Sequence, residues 1–227
     1  MANETVPAAL QAVFEGERRN ARQKTTTDAA AVRQQTVQMY ALLAREQAAV
    51  MAESKLDVAC ARGCNYCCHQ RVEIRPYEAF VLAEFIEQQM SGAAAAQVRA
   101  QLATNRARIA PLTAREHTEA GIACALLQEG VCSVYAARPA ACRKYYSLSV
   151  KTCREAFENP TLPLSGPLED DNLRLAGNAV ALGFARGIEE SGRDANRYEL
   201  HAAVLEALDN PKTAKRYRDG KKAFVSV

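Results

Sequence analysis

Apolar side chains recur at three- and four-residue steps along most of the chain, the period of a helix that buries one face. Val32, Thr36, Met39, Tyr40, Leu43, Val50 and Met51 trace such a stripe within the first 58 residues, a stretch without cysteine. It holds too few clean heptads for a coiled coil. Tyr77, Phe80, Val81, Phe85 and Ile86 form a second stripe. Pro76 opens it, because a fixed φ and a missing N–H suit a first turn, and Ser91-Gly92 stops it. Val98, Leu102 and Ile109 mark the inward side of an Ala-rich helix from Ala93 to about Ala110, which Pro111 ends. Thr113-Ala-Arg-Glu116 has capping-box spacing and predicts a short helix. Leu173, Gly177, Val180, Phe184 and Ile188 predict a helix closed by Gly192. Asp194 reads as the cap of a last long helix carrying Leu200, Val204 and Leu208 before Pro211.

The helical period breaks in the middle of the chain. Arg71 to Arg75 reads as extended, and Cys124 to Tyr135 reads as two short strands joined by a tight turn at Gln-Glu-Gly130. Arg138-Pro139 starts a short helix, and Asn159 to Pro167 is a Pro-rich surface loop. The expected fold is mainly α: a helical domain with a small β-hairpin and cysteine-rich metal-binding knuckles. Residues 1–58 form an N-terminal helical segment, 59–158 a cysteine-cluster metal-binding core, and 159–227 C-terminal helices packed on the same domain. No internal repeat is present.

Composition narrows the function classes. A chain of 227 residues, 48% of them hydrophobic, buries an ordinary core without covalent staples, so its 8 cysteines need another explanation. A net charge of +3, with 6% aromatics and no Trp, disfavours nucleic acid, which is met by a clustered basic face and stacking rings. The N-terminal stretch Met1 to Phe14 lacks the basic flank and apolar run of a signal peptide, and no segment reaches the 18 apolar residues of a membrane span. The expectation is a cytoplasmic chain without membrane contact, in a reducing compartment where clustered cysteines bind metal or do redox work.

The cysteines fall into two groups of four, Cys60-x3-Cys64-x2-Cys67-Cys68 and Cys124-x7-Cys132-x9-Cys142-x10-Cys153. A Cys-x2-Cys turn lets two sulfurs share one tetrahedral metal and lets turn amides donate to the thiolates. Gly63 eases so tight a path. Cys64-Asn-Tyr-Cys67 lacks the strand and helix context of a thioredoxin-like redox motif. Adjacent Cys67 and Cys68 point in different directions and can serve two metals, or one can be a ligand and the other a reactive thiol. His69 stands next to them as a candidate fourth ligand, more often a hydrogen-bonding residue in such a place. His117 and His201 lie on expected helices away from the cysteines and read as ordinary structural histidines.

The first cluster, Glu78-Ala79 in the following helix, and the run Cys132-Ser-Val-Tyr135-x2-Arg138-Pro139-x2-Cys142-Arg143 together resemble the YkgJ-like cysteine-cluster family over roughly residues 60 to 155. That family is known by a Cys-x2-Cys-x2-Cys-Cys signature, and here the first spacing is x3. The resemblance implies metal binding by Cys60, Cys64, Cys67, Cys68, Cys124, Cys132, Cys142 and Cys153, with zinc or iron, including an iron–sulfur cluster, as the cofactor. The spacing follows no standard ferredoxin run, so it does not separate zinc from iron.

Eight thiolates around two divalent ions total about −4, a charge that needs compensation when buried. Arg138 and Arg143 are the expected second layer, donating forked N–H groups to sulfur or backbone, and Tyr135 is expected to pack beneath the cluster. Three functions follow. The first is a metal-binding protein of undefined cellular role. The second is a metal- or cluster-dependent redox or protein-modifying enzyme with an open coordination position, since Cys67, Cys68 and His69 exceed what one closed site needs. The third is an interaction module whose terminal helices meet a protein partner.

Overall fold

The computed structural model describes residues 7–24, 29–161 and 167–225. Most of the Asn159 to Pro167 loop therefore lies outside the described residues, as do the first six positions. Among the described residues the chain is mainly helical, with two antiparallel sheets of two strands each. In chain order the elements are α1 (Ala8–Lys24), α2 (Ala29–Glu53), β1 (Glu73–Ile74), α3 (Pro76–Gln89), α4 (Gly92–Ile109), α5 (Ala114–Glu119), β2 (Leu127–Gln128) and β3 (Val131–Cys132). They continue with α6 (Ala140–Arg143), α7 (Val150–Glu158), α8 (Asp171–Glu190), β4 (Tyr198–Glu199), α9 (Leu200–Asp209) and α10 (Lys212–Arg218).

The local signals act where the sequence places them. Pro76 sits in the first turn of α3, and the Thr113 hydroxyl accepts from the Glu116 amide at 3.2 Å while Glu116 returns the bond to the Thr113 amide at 2.7 Å. In the hairpin, Glu129 and Gly130 both adopt positive φ, 49° and 78°, the pairing that matches the twist of two antiparallel strands.

α8 is the central helix, packed on α1 and α2, while α3 and α4 pack on α9. Tyr77 meets Phe184 edge-on at 5.0 Å, and Phe80 meets Tyr217 at 5.4 Å, so α3 joins α8 to the C-terminal segment through fully buried rings. The α1–α8 crossing uses backbone contact. A Cβ on Gly183 would lie 2.5 Å from the Phe14 carbonyl oxygen, and one on Gly187 only 2.3 Å from that of Arg18.

β1 pairs with β4 in the register Glu73 to Glu199 and Ile74 to Tyr198, and the Leu200 amide donates to the Val72 carbonyl at 3.0 Å. This small sheet ties the start of α9 to the segment that follows the first cysteine cluster. Asp194 does not cap α9. Its buried carboxylate accepts from the Asn196 amide at 3.0 Å, the Tyr198 hydroxyl at 2.7 Å and the Ala223 amide at 2.7 Å. A short acidic side chain that finds a turn amide and a distant amide competes away from the helix end. The cap is Glu199, which accepts from the Ala202 amide at 2.9 Å. Two short helices, α7 and α10, stand where the apolar pattern is too brief to announce them.

Candidate metal centre

The eight thiols come from separate pieces of chain. Cys60 and Cys64 lie in the loop before a short 3₁₀ turn, Tyr66–His69, which carries Cys67 and Cys68. Gly63 passes through that loop at φ 89°, a conformation that favours glycine. Cys124 sits in the loop between α5 and β2, Cys132 on β3, Cys142 in α6 and Cys153 in α7. Backbone hydrogen bonds stitch these pieces together: Cys124 N–H donates to the Cys68 carbonyl at 2.8 Å, and Ala59 N–H to the Ser147 carbonyl at 2.8 Å.

Tertiary neighbours cut across the two sequence groups. Cys60 and Cys64 lie within charge range of Cys67 and Cys153, whereas Cys142 lies within range of Cys67, Cys124 and Cys132. Cys153, last of its group in sequence, thus joins the first two cysteines in space, and the vicinal pair stands between the two sets.

The sulfurs meet a polarised environment. The amides of Tyr66, Leu126 and Val134 donate to Sγ of Cys64, Cys124 and Cys132, each two residues ahead of its acceptor, and the Ser147 amide approaches Cys60 Sγ at 3.4 Å. An amide two residues along the chain that turns back on a cysteine sulfur is the donor set a thiolate ligand uses. Burial nevertheless pushes the thiols of Cys60, Cys64, Cys132 and Cys142 up from their ordinary value, and that of Cys124 up to about 12. For Cys67 the hydrogen bond with Cys68 is the main cause of an upward shift, followed by burial. Alone, these sulfurs keep their protons; a bound cation is what favours their thiolates. The donor set fits a thiophilic metal.

A cavity of about 700 Å³ adjoins the sulfurs, with Cys64, Cys67, Cys68, Cys124, Cys132 and Cys142 in its wall. Among the described residues no three sulfurs lie within 4.8 Å of one another. The edge of a closed zinc–thiolate tetrahedron is shorter, about 3.8 Å for a Zn–S bond of about 2.3 Å. Six of the eight cysteines therefore line an open space, and Cys60 and Cys153 stand outside its wall.

Arg138 lies in the cavity wall, and its charge favours the thiolates of Cys60, Cys67, Cys132 and Cys142. Its guanidinium stacks on the Tyr135 ring at 4.1 Å, with Nε buried and without a hydrogen-bond partner. Tyr135 is 60% exposed at the rim, so it does not pack beneath the cluster; the 3₁₀ turn Tyr135–Ala137 turns the ring outward. Arg143 takes another place: it stacks on Tyr40 at 4.3 Å, and its Nε donates to the Arg138 carbonyl at 2.6 Å. It supports the segment that carries Arg138. His69 packs on Phe157 at 4.7 Å with Nδ1 at 3.2 Å from the Asn65 carbonyl, and it is not part of the cavity wall.

Buried Glu78 anchors α6. Its carboxylate accepts from the Ala140 amide at 2.8 Å, the Arg75 amide at 3.0 Å and the Tyr40 hydroxyl at 3.4 Å. Burial pushes this carboxyl up, and the donors oppose the shift. One side chain thereby fixes the start of the helix that bears Cys142.

His117, Glu199 and His201 place ligand-type atoms within 4.8 Å of one another. The hydrogen bonds of His201 and Glu199 decide against a cation. The Ala125 amide donates to His201 Nε2 at 3.2 Å, so the proton resides on Nδ1, 2.6 Å from Glu199 Oε1. A neutral imidazole bound to metal through Nδ1 would carry its proton on Nε2, against an amide that can only donate. Sequence separation also hid the place of His201, which lies beside the Cys124 loop; the β1–β4 pairing and the packing of α9 on α3 and α4 bring it there.

Among the described residues no helix is long and apolar enough to cross a membrane. No curated protein and no solved structure matches the chain. One family model does: the CxxCxxCC model, described as "Putative zinc- or iron-chelating domain", matches residues 59–160, which hold all eight cysteines.

Proposed function

We propose that the chain holds zinc or iron through its eight cysteines. Cys60, Cys64, Cys153 and one of the vicinal pair serve one side of the centre; Cys124, Cys132, Cys142 and the other serve the second. The observation that carries this reading is the set of backbone amides aimed at cysteine sulfurs from three separate parts of the chain: the 3₁₀ turn of the first cluster, the β2–β3 hairpin and the Ser147 loop. Charge balance supports it. The cavity wall holds Arg62, Arg71, Arg75, Arg138, Lys144 and Arg197 against Glu73 and Glu78, a surplus of four cations. That surplus is of the size needed to offset about −4 from two divalent ions with eight thiolates. Arg138 is the member whose charge favours the thiolates of Cys60, Cys67, Cys132 and Cys142.

The test is anaerobic purification followed by metal analysis and an optical spectrum. Stoichiometric metal is expected; zinc leaves the visible region empty, and an iron–sulfur cluster fills it with charge-transfer bands. Protein without stoichiometric metal refutes the reading.

The open cavity favours a second reading, a metal- or cluster-dependent redox or protein-modifying enzyme, because a purely structural zinc site is closed by its own four ligands. Alkylation of the loaded protein separates the two. Resistance of every thiol until a chelator is added supports a closed structural site. Reaction of one vicinal cysteine while metal stays bound supports the open one.

A further inference from the structure

Cys124 stands in a loop without a sheet or helix ladder, yet both peptide groups beside it are held by buried side chains from other elements. On one side Asn105 Nδ2, from α4, donates to the Ala123 carbonyl at 2.7 Å. On the other, the Ala125 amide donates to Nε2 of His201, from α9, at 3.2 Å. Asn105 is 0% exposed and His201 4%. Their own orientations are fixed in turn. The Ala123 carbonyl can only accept, so the NH2 end of Asn105 faces the loop, and Gln101 Nε2 donates to Asn105 Oδ1 at 2.9 Å. His201 Nδ1 donates to Glu199 Oε1 at 2.6 Å, while Glu199 Oε2 caps α9. Asn105 Nδ2 also lies 3.2 Å from His201 Nε2, so two donors converge on that nitrogen and hold the tautomer.

We propose that Asn105, Glu199 and His201 are positioning residues that preset Cys124 as a metal ligand before the metal arrives. The inference rests on the reading of Cys124 as a ligand. Asn105 and His201 act through the peptide groups bonded to Cys124, Glu199 acts through His201, and none touches the metal. A loop fixed in advance spares metal binding the entropy of ordering it. Outer-layer partners of this kind change metal affinity by roughly 10- to 100-fold.

The test begins with amide-resolved hydrogen exchange on the metal-free full chain. A slowly exchanging Ala125 amide is expected; free exchange overturns the proposal. His201→Leu, His201→Gln and Asn105→Leu then go through chelator competition and site-resolved alkylation of the loaded protein, using zinc or iron according to what the native protein contains. His201→Leu and Asn105→Leu are expected to weaken metal retention by roughly 10- to 100-fold and to expose Cys124 ahead of Cys60, Cys64 and Cys153. Gln at 201 offers a carbonyl acceptor to the Ala125 amide and is expected to restore most of the loss. Unchanged retention in folded variants, an equal rise at all eight thiols, or a Gln variant no better than Leu overturns the positioning role. Where a variant does not fold, the exchange rate of the native protein decides alone. Native protein without metal overturns the metal reading as well, whereas a loaded native protein with indifferent variants overturns only this inference.

Discussion

Substituting Glu78→Gln tests how the centre is built, because this carboxylate uses its two oxygens for two different chain segments. Oε1 accepts from the Ala140 amide at 2.8 Å and Oε2 from the Arg75 amide at 3.0 Å. Glutamine has one oxygen, so its NH2 group must face one of these amides, donor against donor. Leaving a buried amide unpaired costs about 1–3 kcal/mol. Loss of a buried charge, whose burial pushes Glu78 up from the ordinary carboxylate range, returns part of that. The net is about 1–2 kcal/mol of destabilisation. At this chain length each kcal/mol moves the midpoint by about 2–4 °C, so thermal unfolding followed by circular dichroism should shift down by roughly 2–8 °C. Cys142 lies two residues beyond Ala140 in the same short helix, so its alkylation in the loaded protein should rise more than that of Cys60 or Cys64. An unshifted midpoint together with an unchanged Cys142 rate would refute the argument that Glu78 places α6.

Two other substitutions probe packing and the sorting of ligands. Gly187→Ala should destabilise by about 1–3 kcal/mol, since its Cβ would meet the Arg18 oxygen at 2.3 Å and Ala21 Cβ at 2.7 Å. Gly16→Ala, with nothing within 4 Å of its Cβ, should stabilise α1 by about 0.5–1 kcal/mol; denaturant midpoints of the same sign for both would be inconsistent with the α1–α8 contact. Cys153→Ser should raise the alkylation of Cys60 and Cys64 while Cys132 and Cys142 stay protected. Exposure of Cys132 and Cys142 instead would mean that the spatial sorting of sulfurs is wrong.

The sequence by itself determined the elements and the chemistry. Val32 to Leu43, Tyr77 to Ile86 and Leu173 to Ile188 announce their helices because a repeat of three and four residues is a local property, readable without knowing the partner. Pro76, the Thr113–Glu116 box and the Glu129-Gly130 turn are likewise legible, since capping and turn geometry depend on neighbours in the chain. The clustering of eight cysteines and the nearby Arg138 are legible for the same reason.

Tertiary structure alone decided which groups meet. Asp194 has the residue type of a helix cap, and its carboxylate instead closes on Tyr198 and Ala223, because a distant buried amide outcompetes an open helix end. Cys153 follows Cys142 in sequence, yet α7 packs on the 3₁₀ turn of the first cluster and delivers it to Cys60 and Cys64. His201 lies 76 residues from the amide that donates to it, a separation closed by the β1–β4 pairing together with the packing of α9 on α3 and α4. Periodicity fixes which face of an element is buried; what it is buried against depends on long-range packing, which carries no signal at the scale of one turn.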